Sequence, residues 1–91
     1  MIPAFEWDPE KADRNYRKHA VLFVEASSVF DDPLLLVAED REHSIGELRL
    51  RAIGCSVASR LLVVVYTERA DVIRIISARE ATRREKRAYD G

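Results

Sequence analysis

The sequence is poor in the residues that mark most small-domain chemistries. It has one cysteine, Cys55, so neither a disulfide framework nor a thiolate metal site can form within one chain. Its two histidines, His19 and His43, lack the i, i+4 spacing of a zinc-binding helix. Its three glycines, Gly46, Gly54 and Gly91, build no phosphate-cradling loop, and no nucleophile elbow is present. No helix-turn-helix or zinc-finger pattern supports direct DNA binding. The longest apolar run, "LLVVVY" at 61–66, is too short to span a bilayer. The opening "MIPAFEWDPEK" has neither the basic nor the apolar region of a secretory leader. A cytoplasmic protein with no metal, no cofactor and no membrane contact is expected.

What is present is apolar content and charge. Apolar residues make up 47% of 91 residues, enough for one domain over 1–91 with a single modest core. The net charge of −1 hides an asymmetry. Eight basic and five acidic residues follow position 59, against seven and eleven before it. A basic half in a near-neutral protein is either an anion-binding face or a solvated surface.

The pattern of elements is α+β. "WDPEKADRNYRKHA" starts a helix, with Asp8 as N-cap, Pro9 in the first turn, and Trp7 and Ala12 as a hydrophobic staple. Ala12, Tyr16 and Ala20 form its apolar stripe. "LFVEASSVF" fits a second helix, ended by "DDP". "LLLVAED", "LRLRAIGC", "LLVVVYTE" and "VIRIISA" read as about four strands, the last three joined by loops short enough for an antiparallel meander. A C-terminal helix is expected from 78 to 89. Ser77 and Glu80 have the S-x-x-E spacing of a capping box at its start.

Arginine is the residue type that invites chemistry. On this map Arg69 lies in a hairpin turn, Arg74 in a strand and Arg79 at a helix start. A guanidinium fork matches two phosphate oxygens, so an RNA backbone is one ligand that such a face would suit.

Five stretches then resemble one family: "FEWDPEKADRNYRKHAV", "VFDDP", "HSIGELRLRAIG", "RLLVVVYTER" and "IRIISAREATRREKRAY". Together and in this order, they are similar to the BrnT family, the ribonuclease toxins of BrnT–BrnA type II toxin–antitoxin pairs. The resemblance implies a RelE-like fold: two N-terminal helices, a twisted antiparallel sheet and a C-terminal helix. It implies a metal-independent endoribonuclease that inhibits translation, through attack of a ribose 2′-hydroxyl on the adjacent phosphate. It implies a BrnA-like antitoxin in a 2:2 heterotetramer, with operator DNA bound only through the antitoxin. Carried over by position, the catalytic candidates are Arg69, Ser77, Arg79 and His19. Lys11, Arg49, Arg74, Arg83 and Arg84 are the RNA-binding candidates. His43 also matches, and Glu47 beside Arg49 suggests an ion pair that anchors the loop. The alternative is a catalytically inactive module that only binds a ribbon-helix-helix antitoxin.

The chain departs from the family pattern at three positions. Ala20 stands where glycine is usual, and Leu22 where a polar helix-starting residue is usual. Glu80 stands where the "ISAR" motif continues with a basic residue. An acid beside Arg79 would repel RNA and attenuate the enzyme, while the capping-box spacing gives the same residue a structural role.

Overall fold

The computed structural model describes residues 4–44 and 46–91; the side chain of His43, and with it the His43 reading, lies outside the described residues. The chain forms strand β1 (Ala4–Glu6), helix α1 (Pro9–His19) and helix α2 (Phe23–Ser27), which continues as a 3-10 turn over Ser28–Asp31. Strand β2 (Leu36–Glu39), a 3-10 turn at Arg41–His43, strands β3 (Leu50–Cys55), β4 (Leu61–Arg69) and β5 (Val72–Glu80), and helix α3 (Arg83–Asp90) follow. The five strands form one sheet in the order β1-β5-β4-β3-β2.

The antiparallel meander β3–β4–β5 is present as expected. The expectation of four strands in an all-antiparallel sheet is corrected. A fifth strand, β1, runs parallel to β5, with Phe5 opposite Ile73. Three residues next to a helix start carry too little alternation to reveal it.

The local signals explain the helix ends. Asp8 accepts a hydrogen bond from the Glu10 N–H at 2.9 Å, and Pro9 follows it. Trp7 and Ala12 pack against the core, and Trp7 meets Phe23 edge-on at 6.0 Å. The expected stripe is displaced, since Tyr16 and Ala20 are exposed and Asn15 is buried in their place. Ala20 ends α1 in the left-handed region (φ 56°), where its Cβ costs on the order of 1 kcal/mol relative to glycine. Leu22 starts α2 without a side-chain cap.

The core lies between the helices and one face of the sheet. Ala52, Leu62, Val64, Tyr66, Ile73, Ile75 and Ala78 from the strands meet Val21, Phe23, Ala26 and Val29. Phe30 bridges Phe5 and Tyr66 as an aromatic row, at 5.6 and 4.9 Å. Gly54 lets the 3-10 turn approach β3 closely; a Cβ there would meet Leu35 at 2.7 Å and the Val29 carbonyl at 3.1 Å. Asn15 ties α1 to the edge of β5. Its amide donates to the carbonyls of Val21 (3.1 Å) and Ala78 (2.9 Å) and accepts from the Ala78 N–H (3.1 Å). On the same layer Arg60, just before β4, grips Glu25 and donates to the Ala20 carbonyl at 3.1 Å, joining the β3–β4 connection to α2 and the end of α1. The Arg60 guanidinium therefore holds the Glu25 carboxyl below its usual range.

Candidate functional site: the open face of the sheet

The site is made by an irregularity in β5. Ile73 and Ile75 face the core, and strict alternation would send Ser77 and Arg79 there as well. Instead the pairing with β4 slips by one residue: Tyr66 opposes Ile75, but Val65 opposes Ser77. Ile76 is the extra residue of a β-bulge. Beyond it Ala78 enters the core, and Ser77 and Arg79 turn to the opposite, open face.

This overturns the expected helix start. Ser77 and Glu80 do not form a capping box, because both belong to β5, with Glu80 paired to Leu62. The ladder runs on to Ala81, whose N–H donates to the Leu61 carbonyl at 2.9 Å. No helix can begin while the strand is still paired. The capping box instead lies at Thr82 and Glu85, which repeat the same spacing. Thr82 Oγ1 accepts from the Glu85 N–H at 3.2 Å, and Glu85 accepts from the Thr82 N–H at 2.8 Å.

Glu85 has a second task. Its two oxygens accept from Nη1 and Nη2 of Arg79 at 2.7 and 2.8 Å, a bidentate pair. Nη1 also donates to the Glu80 carbonyl at 3.2 Å. The Arg79 side chain is 38% exposed and that of Glu85 17%. The guanidinium pulls the Glu85 carboxyl down to about 2, and the carboxylate raises Arg79 further above its already high value. Three of the five donors of Arg79 are thereby engaged. Among the described residues the Nε–H and the second Nη2–H have no hydrogen-bond partner, and together they make a side-on fork.

Arg79 lines a groove of about 350 Å³ together with Arg49, Arg51 and Ser77, over a floor of Val63 and Val65. Asp40 completes the wall and accepts from Arg51 at 3.3 Å. Arg49 is fixed by its backbone, which donates to Ser44 Oγ at 3.0 Å and accepts from the Asp40 N–H at 2.8 Å. Among the described residues its guanidinium has no carboxylate partner. The arrangement offers two cationic groups and a hydroxyl to one anion, beside a third arginine already balanced by Asp40.

The remaining candidates fall into separate places. Arg69 and Arg74 lie on the same face at the β4–β5 hairpin, in a smaller cavity of about 200 Å³ with Glu6 and Glu47. Arg69 ends β4 rather than sitting in the turn, and it grips Glu47, with Nε at 3.1 Å. The expected Glu47–Arg49 pair is therefore corrected to Glu47–Arg69. Arg74 reaches Glu6 at 3.4 Å. Arg83 and Arg84 are exposed on α3. Lys11 and His19 belong to α1, which packs on the helical face through Ala12 and Asn15. Glu80 has the same facing as Ala78, so its carboxylate lies away from Arg79 and its charge acts on Arg60. Among the described residues no three His, Cys, Asp or Glu side chains come together as a metal-binding group.

Sequence reasoning missed Arg51, Asp40 and Glu85. Arg51 had a signal, since it shares the outward phase of "LRLRAIGC" with Arg49. Glu85 had the T-x-x-E spacing with Thr82, which marks a cap but not its hold on Arg79; Asp40 had none.

A family model for the ribonuclease toxin BrnT of type II toxin–antitoxin systems matches residues 7–85. The 1.1 Å crystal structure of the Brucella abortus ribonuclease toxin BrnT superposes with a TM-score of 0.68. It is 21% identical, and the match covers 89% of this chain and 99% of that one; at this identity the likeness speaks for the fold. No curated protein matches the chain.

Proposed function

The chain belongs to the BrnT family of ribonuclease toxins of type II toxin–antitoxin systems, and from that premise we propose that it is an endoribonuclease that holds the scissile phosphate of RNA in the groove on the open face of its sheet. The observation that carries the reading is the Arg79 fork. Glu85 fixes the guanidinium end-on and leaves its side-on edge free of partners among the described residues, and Arg79 lines a groove with Arg49 and Ser77. A fixed fork needs little reorganisation when negative charge develops on the phosphate.

In the proposed reaction the ribose 2′-oxygen bonds to phosphorus and the bond to the 5′-oxygen breaks. The 2′-proton is lost, the leaving oxygen gains one, and a cyclic phosphate remains. Arg79 and Arg49 balance the charge of the phosphorane, and Ser77 donates to a phosphate oxygen. Arg69 and Arg74 at the hairpin, and Arg83 and Arg84 on α3, hold flanking phosphates. Lys11 and His19 stand outside this assignment, on the layer behind the sheet. No step calls on a metal. The finer expectations of cytoplasmic action, translation arrest and neutralisation by a BrnA-like antitoxin in a 2:2 assembly go with this reading.

The test is cleavage of single-stranded RNA and of ribosome-bound message in EDTA by the wild-type chain and by Arg79→Ala. Cyclic-phosphate ends from the wild type, lost in the variant, are expected. A folded wild-type chain that cuts neither RNA would leave only the antitoxin-binding module.

A further inference from the structure

A second groove borders the first. It is about 620 Å³, between the outermost strand β2, its neighbour β3 and helix α3. Its walls are aliphatic: Leu36, Ala38, Ile53 and Ala88. β2 is the free edge of the sheet, and all four of its residues are exposed. Leu36 is 40% and Val37 51% exposed, an apolar edge of the kind that folded proteins usually cover or charge. Arg84 and Arg51 line it as cations, with Glu85 engaged by Arg79. Beyond the groove, α3 also carries exposed Arg83, Lys86 and Arg87 against one exposed acid, Asp90. Arg51 lines both grooves, and Glu85 lines this one while holding Arg79 in the other.

We infer that this groove is where the antitoxin docks, through a segment that pairs with the edge of β2, places aliphatic side chains between β2 and α3, and carries acidic residues on the side facing α3. Three features choose this occupant. Unpaired strand N–H and C=O groups call for a peptide backbone. RNA is disfavoured because the walls offer no aromatic ring for a base to stack on. A second copy of the chain is disfavoured because edge pairing across a twofold axis would bring two basic α3 helices to one seam. Because Arg51 and Glu85 belong to both grooves, the docked segment ends beside the phosphate fork and shuts RNA out. This blocking of RNA rests on the proposed phosphate site, whereas the docking rests on the edge and the groove alone.

The test uses the antitoxin encoded with this toxin and the double variant Leu36→Asp/Ala88→Asp, which puts two like charges against an acidic segment at exposed positions. Its affinity for the antitoxin should fall at least tenfold, while RNA cleavage by the free variant stays within twofold of wild type. Arg79→Ala should do the reverse, losing cleavage and keeping antitoxin affinity; if it keeps cleavage, the phosphate site fails and the docking does not. Amide exchange on the wild-type complex needs no variant, and should slow at residues 36–39. Unchanged exchange there, or a folded double variant that binds antitoxin within twofold, overturns the inference. So does a wild-type chain that sediments as a dimer which the double variant dissociates, or a double variant that loses RNA binding instead.

Discussion

The two faces of the sheet are held by different physics. The helical face is apolar, with Leu62, Val64, Ile73, Ile75 and Ala78 packed under α1 and α2. The open face is built of arginines balanced by carboxylates from elsewhere in the chain: Asp40 on Arg51, Glu47 on Arg69, Glu6 on Arg74 and Glu85 on Arg79. Non-directional burial defines the first, and matched pairs in fixed geometry define the second. A solvent-exposed pair such as Arg69–Glu47 contributes little, whereas the more enclosed, bidentate Arg79–Glu85 pair fixes a geometry. The difference separates an anion site from a solvated surface, even where both contain arginine.

The sharpest way to break this comparison is to truncate one arginine from each cluster. Arg79→Ala should lower the single-turnover rate of RNA cleavage by about 100- to 1,000-fold, the usual cost of losing a preorganised charge-stabilising group. Arg69→Ala, in the exposed pair at the hairpin, should cost less than about tenfold. Equal losses would mean that the hairpin cluster is part of the reaction centre.

The comparison also explains what was legible in the sequence. Alternation and β-branched runs locate β3, β4 and most of β5, because burial on one face leaves a period-two signature. Asp8–Pro9 marks α1 for a similar reason: the cap acts within two residues of itself. The start of α3 was misplaced because S-x-x-E at 77–80 and T-x-x-E at 82–85 look alike in isolation. Pairing with β4, not local propensity, decides between them. The bulge at Ile76 is equally silent, yet it alone turns Ser77 and Arg79 outward. Of the groove, Arg49, Ser77 and Arg79 were identifiable from the family's motifs and Arg51 from its phase with Arg49, while the partnerships of Asp40 and Glu85 needed the folded structure.

Asn15 couples the two faces. It sits in the helical layer, but two of its three hydrogen bonds hold the backbone of Ala78, the residue between Ser77 and Arg79, and the third holds the Val21 carbonyl. Asn15→Ala leaves buried backbone groups of Ala78 and Val21 without partners and should lower unfolding stability by about 2–4 kcal/mol in urea denaturation. Cleavage per folded molecule should fall too, since the strand edge beneath the fork loosens. A loss below about 1 kcal/mol would show that water replaces the amide and that α1 does not support the site.

The Glu85–Arg79 pair gives the open face a pH dependence of its own. The folded Glu85 carboxyl titrates at about 2, below its ordinary value of 4.5. The charged form is thus the one that the fold favours. Its contribution is complete above the unfolded value and is lost as pH falls from about 5 towards 2. The whole shift corresponds to about 3 kcal/mol, which solvent on the exposed side of the pair reduces to about 1–2. Glu85→Gln should therefore be less stable at pH 7 by that amount and match the wild type near pH 2. An unchanged slope of stability against pH between 5 and 2 would show that the pair contributes no net energy.

The smallest effect is expected where the sequence suggested the largest. Glu80 follows Arg79 directly, and an acid at that point of a basic motif reads as an attenuating change. The strand turns that reading around: alternation past the bulge puts the Glu80 carboxylate on the helical side, where its charge acts on Arg60. Only its backbone carbonyl meets Arg79, and any side chain at position 80 supplies that carbonyl. Charges on opposite faces of a sheet are separated by about a Debye length at physiological salt and are largely screened from each other. Glu80→Lys should accordingly change RNA cleavage by less than about threefold. At low salt the gap between the two chains should widen in favour of lysine, and at 0.5 M salt it should close. A rise of tenfold or more at physiological salt would return Glu80 to the anion site and place RNA on both faces of β5.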